Sequence, residues 1–184
     1  MILNGAEILS ERDQDRIIIS PFNPENIGPN SYDVTLGTII KRVEPNEIMY
    51  HENGDPYEVM YPKKKQSCVT HEMDDDGIVI QPNKLYLAHT VERVGSEYYV
   101  PMLEGRSSIG RMGLFIHVTA GFGDIGFMDQ WTLELYSIYP IKIYPGMRIA
   151  QVFFHECSSQ SIMYQGRYQG QVGPQESLFY KGRM

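Results

Sequence analysis

The stretch Glu104-Gly105-Arg106-Ser107-Ser108-Ile109-Gly110-Arg111 carries the groups that an anion site needs. Gly105 lets a backbone approach closely. Ser107 and Ser108 offer hydroxyls and N–H groups at a helix start, where the dipole favours negative charge. Arg106 supplies a planar fork that matches phosphate oxygens. The same residues also read as a capped helix with ordinary surface arginines. A second set, Gly121 to Tyr136, reads GFGDIGFMDQWTLELY. Trp131, Leu133 and Leu135 alternate with Thr132, Glu134 and Tyr136, so one face of a strand is apolar. Glu134 stands on the other face. On a solvated face it is an ordinary strand glutamate; on a pocket wall it is a candidate proton shuttle. Asp124, in a glycine-rich turn upstream, reads either as a turn former or as a second reactive carboxylate.

Two later sets add recognition groups. In Pro145-Gly146-Met147-Arg148-Ile149-Ala150-Gln151-Val152-Phe153-Phe154 a turn feeds a buried strand, and Arg148 and Gln151 are its odd polar residues. In Tyr164-Gln165-Gly166-Arg167-Tyr168-Gln169-Gly170-Gln171, aromatic rings, an arginine and amides could grip a base and phosphates. The alternative is a disordered polar tail. Zinc-dependent nucleobase deaminases need His-x-Glu and Pro-Cys-x-x-Cys, and the sequence has neither. His71 follows Cys68 in CVTH, but no second pair accompanies it. A Walker A loop and a dinucleotide-binding glycine motif are also missing.

The elements that must position these groups read as short strands. Runs at Arg16–Ser20, Tyr32–Leu36, Ile78–Ile80, Lys84–Val91, Thr132–Tyr136, Ile141–Tyr144 and Ile149–Phe154 are separated by Gly, Pro, Asn and Asp. That pattern predicts an all-β sandwich or barrel. Helices are few. Asn4 to Ser10 reads as one, with Asn4 as its cap and Glu7 three residues on. Ser107 to Gly113 reads as a second, opened by two serines. Residues 44–77 are polar and read as a solvated excursion or hairpin. Residues 165–184 cannot build a core, so they stay mobile or order on a ligand or a neighbouring subunit.

The chain has 184 residues, 42% of them hydrophobic, which fits a single domain over 1–184 with a real core. A net charge of −7 argues against nucleic acid as partner, though clustered arginines can still hold a small anion. Cys68 and Cys157 read as free thiols of a reducing compartment. No basic stretch followed by an apolar run opens the sequence, and no run reaches the roughly 18 apolar residues of a membrane span. The expectation is a cytoplasmic protein that binds neither nucleic acid nor membrane.

Together these motifs resemble the dCTP deaminase family, a branch of the trimeric dUTPase superfamily. The resemblance rests on GPNSYDVTLG, EGRSSIGRMGLFIHVTAGFGDIGFMDQWTLEL, PGMRIAQVFF and YQGRYQGQVGP, and it spans most of the chain except 44–77. It implies a distorted jelly-roll or β-barrel of the dUTPase-like type with a few short helices. It further implies a homotrimer with interfacial active sites and a flexible C-terminal tail, 165–184, that closes over a bound nucleotide.

By the same resemblance, Glu134 is the catalytic carboxylate for hydrolysis at cytosine C4. Ser107 and the Ala120 backbone hold the attacking water, and Arg111 supports them. Arg106, Ser107 and Ser108 take the phosphate side, Arg148 and Gln151 a structural and base side, and Tyr164, Arg167 and Gln171 the tail side. Mg²⁺ is expected on the triphosphate, with no protein metal site and no zinc. Thr119-Ala120-Gly121-Phe122 resembles the bifunctional members, which convert dCTP to dUMP and pyrophosphate; deaminase-only members tend to carry His-Arg after Thr-Ala. Thr119 and Phe122 are then substrate-side residues and Asp124 a second catalytic carboxylate. Asp129 stands where glycine is usual, which would alter the turn into the Glu134 strand. Gly123 stands where an apolar residue is usual, which would loosen its loop. A deaminase that stops at dUTP, a dUTP or dCTP diphosphatase without deamination, and a non-catalytic nucleotide-binding regulator remain the alternatives.

Overall fold

The computed structural model describes residues 1–159 and 162–182. Thirteen strands and two short α-helices make up the described chain. Helix α1 (Gly5–Asp13) opens it, and its start is the capping box read from sequence. The Asn4 side chain accepts from Glu7 N at 3.0 Å, and the Glu7 carboxylate accepts from Asn4 N at 2.8 Å. There follow β1 (Ile17–Ser20), β2 (Tyr32–Thr35), β3 (Ile39–Glu44), β4 (Glu47–Tyr50), β5 (Pro56–Val59), β6 (Ser67–Glu72) and β7 (Ile78–Ile80). Then come β8 (Tyr86–Ser96), β9 (Tyr99–Gly105), α2 (Ser107–Gly110), β10 (Leu114–Ile116), β11 (Gln130–Ser137), β12 (Ile141–Ile143) and β13 (Arg148–Glu156).

All pairing is antiparallel. The largest sheet has the order β10-β11-β8-β3-β6, with β1 also on β8. A second sheet has the order β2-β13-β9, and β12-β7 and β4-β5 form ribbons. The two larger sheets bury their inner faces against each other, as half-apolar strands must. Tyr32, Val34, Leu103, Ile149, Val152 and Phe154 come from the smaller sheet. Ile17, Ile19, Ala88, Val94, Trp131, Leu133 and Leu135 come from the larger one. The all-β expectation therefore holds.

Several local expectations change. The Lys84–Val91 run is replaced by an 11-residue strand that starts at Tyr86 and continues to Ser96, because Glu92 and Ser96 are buried with their polar atoms bonded. Glu92 accepts from Thr35 N and Thr35 Oγ1, both at 2.9 Å. Residues 44–77 are only partly an excursion. β4 and β5 form an exposed hairpin, but β6 pairs with β3 along six residues and joins the main sheet. Helix α2 ends at Gly110, its N-cap is Arg106, and no side chain caps it, so neither serine does the capping expected of them. Both cysteines are free. No helix of the described residues is long and apolar enough to cross a membrane.

Candidate active site

Strand β11 positions the central carboxylate. Its side chains alternate, with Trp131, Leu133 and Leu135 buried in the core and Thr132 and Glu134 half-buried on the opposite face. Glu134 lies opposite Leu87 of β8, and its carbonyl accepts from His117 N at 2.9 Å. It faces a cavity of about 530 Å³, a size that accommodates a nucleoside.

The loop from β10 to β11 forms one wall. It is sewn to the neighbouring strand β9: Leu103 N donates to Gly121 O at 2.7 Å, Gly123 N to Pro101 O at 2.9 Å, and Met102 bridges Phe122. These bonds place Ala120, Phe122 and Asp124 on the cavity wall. Phe127 N donates to Asp124 O at 3.2 Å, so Asp124 also serves as the turn former its sequence setting suggests. Gly123 does not loosen this loop. A side chain there would bring Cβ to 2.4 Å from the Trp131 ring and 2.8 Å from Pro101 O. The indole fills the volume that an apolar residue at 123 would occupy.

His117 was not singled out from sequence, yet it lines the cavity with φ +56°. Its buried Nδ1 has no hydrogen-bond partner. Burial pushes its pKa down, and the Glu134 carboxylate and the Ala120 backbone pull partly against that. Burial therefore favours the neutral form of the ring. A buried orphan nitrogen on a cavity wall marks a place for a polar atom of a ligand or water.

The tail supplies the outer wall through Tyr164, Tyr168, Gln171, Gln175 and Ser177. It lies against its own chain. Tyr164 N donates to Ile125 O at 2.7 Å, and its ring stands edge-on to Phe127 at 5.8 Å. Asp129 accepts from Gly170 N at 2.6 Å, so the carboxylate that stands where glycine is usual receives a turn of the tail. Arg167 does not line the cavity. Its guanidinium donates to Leu178 O at 2.9 Å and to Gly182 O, closing the tail on itself. Gln175 and Thr132 were missed because an amide and a strand threonine carry no spacing signal of their own.

The remaining expected residues lie elsewhere. Ser107, Ser108 and Arg111 are exposed on and beside α2, Thr119 is exposed beside Ala120, and none of the four is on the cavity wall. Arg106 lies 3.2 Å and Arg148 3.6 Å from Asp33, and Arg106 Nη1 also donates to Arg148 O at 3.1 Å. Gln151 accepts from Ser31 Oγ at 3.3 Å. Asp33 is thus the organiser of the cationic cluster, a role its place in GPNSYDVTLG did not reveal. The structure brings Glu134, Ala120, Asp124, Phe122, Tyr164 and Gln171 to one cavity, and it holds Arg106, Arg148 and Gln151 in a second group. No cluster of three or more potential metal ligands occurs among the described residues.

Comparison with known proteins shows a family. A family model described as dCTP deaminase-like matches residues 2–157. A protein of Clostridium botulinum (strain Alaska E43 / Type E3) named "dCTP deaminase, dUMP-forming" is 46% identical over 182 residues, 98% of each chain. Proteins of the same name from Cytophaga hutchinsonii and Leptospira biflexa are 42% and 40% identical over 182 residues, 98% of this chain and 98% and 97% of theirs. Among solved structures, the 2'-deoxycytidine 5'-triphosphate deaminase of Agrobacterium tumefaciens superposes with a TM-score of 0.61 at 17% identity. That match covers 85% of this chain and 48% of the other, and it speaks for the fold.

Proposed function

The chain belongs to the dCTP deaminase-like family, and from that premise we propose that it hydrolyses dCTP to dUTP and ammonia and then to dUMP and pyrophosphate. The observation that carries the proposal is the presence of two carboxylates, Glu134 and Asp124, on the wall of one nucleoside-sized cavity. In the first step Glu134 takes a proton from water as its oxygen adds to cytosine C4. Protons then pass to N3 and to the amine, the C4–N4 bond breaks, and ammonia leaves. Ala120 lines the same cavity, where its backbone would orient that water, and the His117 ring faces the same space. In the second step Asp124 draws a proton from a water that attacks the α-phosphorus, and pyrophosphate departs. Phe122, 65% exposed on the cavity rim, offers the base or sugar an apolar face.

The second half of the site comes from a neighbouring copy in a homotrimer. That reading is supported by the position of Arg106, Ser107, Ser108, Arg111 and Gln151, which lie off the cavity walls of their own chain. Docked at a neighbour's cavity, Ser107 and Arg111 would hold the water and Arg106 and Ser108 the phosphates. Pooling these cations lets a chain of net charge −7 bind a triphosphate. Mg²⁺ enters as part of the substrate, on phosphate oxygens, and spreads their charge.

The test is chromatography of the products from dCTP and Mg²⁺. dUMP with pyrophosphate is the expected result. dUTP alone would remove the second step, and dCMP would remove Glu134 from the mechanism.

A further inference from the structure

The tail is held to the body at a line of points that the reaction does not use. On β11, Gln130 and Thr132 share the face that carries Glu134, four and two residues before it. Gln130 O accepts from Gln171 Nε2 at 2.6 Å, Gln130 Oε1 from Gly173 N at 2.8 Å, and Thr132 Oγ1 from Gln175 N at 2.9 Å. The tail therefore runs along the first two positions of this face, and the third position is the carboxylate. Beyond it, Gln66 accepts from Ser177 N at 3.0 Å. Between these last contacts lies an ion pair, Lys41 Nζ to Glu176 Oε1 at 2.8 Å.

This pair differs from the chain's other ion pairs in place, and it is among the more buried of them. Among the described residues it is the one ion pair that joins the tail to the sheets. Its side chains are 18% and 24% exposed, well below most surface pairs of this chain. A partly buried pair is felt strongly when one member is removed, because the other charge stays in a poorly solvated place. Lys41 also lies opposite Leu87 of β8, the residue that faces Glu134 on the other side of that strand. The pair is thus fastened to the strand ladder that carries the catalytic carboxylate.

We infer that Lys41 and Glu176 form the clasp that keeps the tail shut over the cavity, a positioning pair that touches no reacting atom. Closing the tail sets Tyr168, Gln171 and Gln175 against the cavity in register with Glu134. A tail that is shut for only part of the time weakens nucleotide binding by that fraction, while chemistry in the closed form is unchanged. The inference rests on the proposed reaction only in taking this cavity as the reaction site.

The experiment is limited proteolysis of the full chain with chymotrypsin, which has Tyr164, Tyr168, Phe179 and Tyr180 as sites in the tail. Cleavage confined to the tail is followed by mass, and steady-state kinetics with dCTP are run alongside. Glu176→Gln and Lys41→Met should each speed tail cleavage about tenfold and raise KM by a similar factor, with kcat within about threefold of the parent. The reversed pair, Lys41→Glu with Glu176→Lys, should recover most of both losses. Glu176 lies outside the sheets, so its variant keeps the fold. The inference is overturned if either single variant is cleaved at the parent's rate, or if the reversed pair is cleaved as fast as the singles. Cleavage is read without nucleotide, so a parent that turns over no dCTP would count against the proposed function and not against the clasp.

Discussion

Gly123→Ala tests whether Trp131 occupies the space of a missing side chain. The added Cβ would lie 2.4 Å from one indole carbon, 2.8 Å from a second and 2.8 Å from Pro101 O. Both neighbours are tied in place. The indole Nε1 donates to Val94 O at 3.0 Å, and Gly123 N donates to Pro101 O at 2.9 Å. Relief on either side stretches a buried hydrogen bond, so overpacking of about 1–3 kcal/mol is joined by part of a bond worth about 1 kcal/mol. A total of about 3 kcal/mol lowers Tm by about 6–12 °C in a chain of this size. Trp131→Val alone leaves a void and costs about 3 kcal/mol or more. Thermal and urea unfolding of the parent, both single variants and the double variant closes the cycle. With valine at 131, alanine at 123 should cost nothing or stabilise, a coupling of about 2–3 kcal/mol. An equal cost for alanine in both backgrounds would refute the exchange of volumes between the two positions.

Glu134→Gln should lower kcat for ammonia release by about 10²-fold or more, the usual scale of a lost general acid–base, with KM within a few fold; normal ammonia release would remove Glu134 from the reaction. Asp124→Asn should leave deamination running while dUMP formation falls about 10²-fold, so chromatography should show dUTP accumulating; unchanged dUMP would reassign the second step. Acid should weaken the fold before the carboxylate range is reached. Burial lowers the pKa of both His89 and His117 from 6.5, so the unfolded chain binds more protons than the native one as pH falls below 6.5. The loss approaches about 2.7 kcal/mol per pH unit for two protons. Glu92 runs the other way, since burial raises its pKa and its contribution fades as pH rises. Tm should thus fall between pH 6.5 and 5.5, and a rise across that window would contradict the neutral-histidine assignment.

What the sequence could tell followed from how local each cause is. The alternation of Trp131, Leu133 and Leu135 with Thr132 and Glu134 is a period-two signal, and it located the strand and the face of the carboxylate, although the strand runs over Gln130–Ser137 and not only Thr132–Tyr136. The Asn4 and Glu7 box depends on residues three apart, and it too was legible. Strand β3 escaped notice because Lys41 and Arg42 interrupt its apolar residues, and Lys41 finds its partner, Glu176, only far along the chain. β6 escaped for a similar reason, since its burial comes from pairing with β3 rather than from its own pattern. The site divided along the same line. Glu134, Ala120 and Asp124 lie in one segment and arrived together. The role of Asp33 beneath two arginines and that of Gly123 beneath an indole arise from residues distant in sequence.

Strand β11 couples closure, register and chemistry. Residues two apart on one face of a strand stand about 6.7 Å from each other, roughly the width of a pyrimidine. Thr132 receives Gln175 N, so the tail is anchored about one base width from the Glu134 carboxylate. The strand itself supplies this spacing, and no loop has to maintain it. Its register is fixed in turn by Trp131, Leu133 and Leu135, because a slip of one residue would drive Glu134 and Thr132 into the core and expose the indole. Core packing on one face therefore sets the distance between lid and carboxylate on the other. A substitution that loosened the Trp131 side would be felt at the tail as well as in stability, although Trp131 makes no hydrogen bond to any tail residue described.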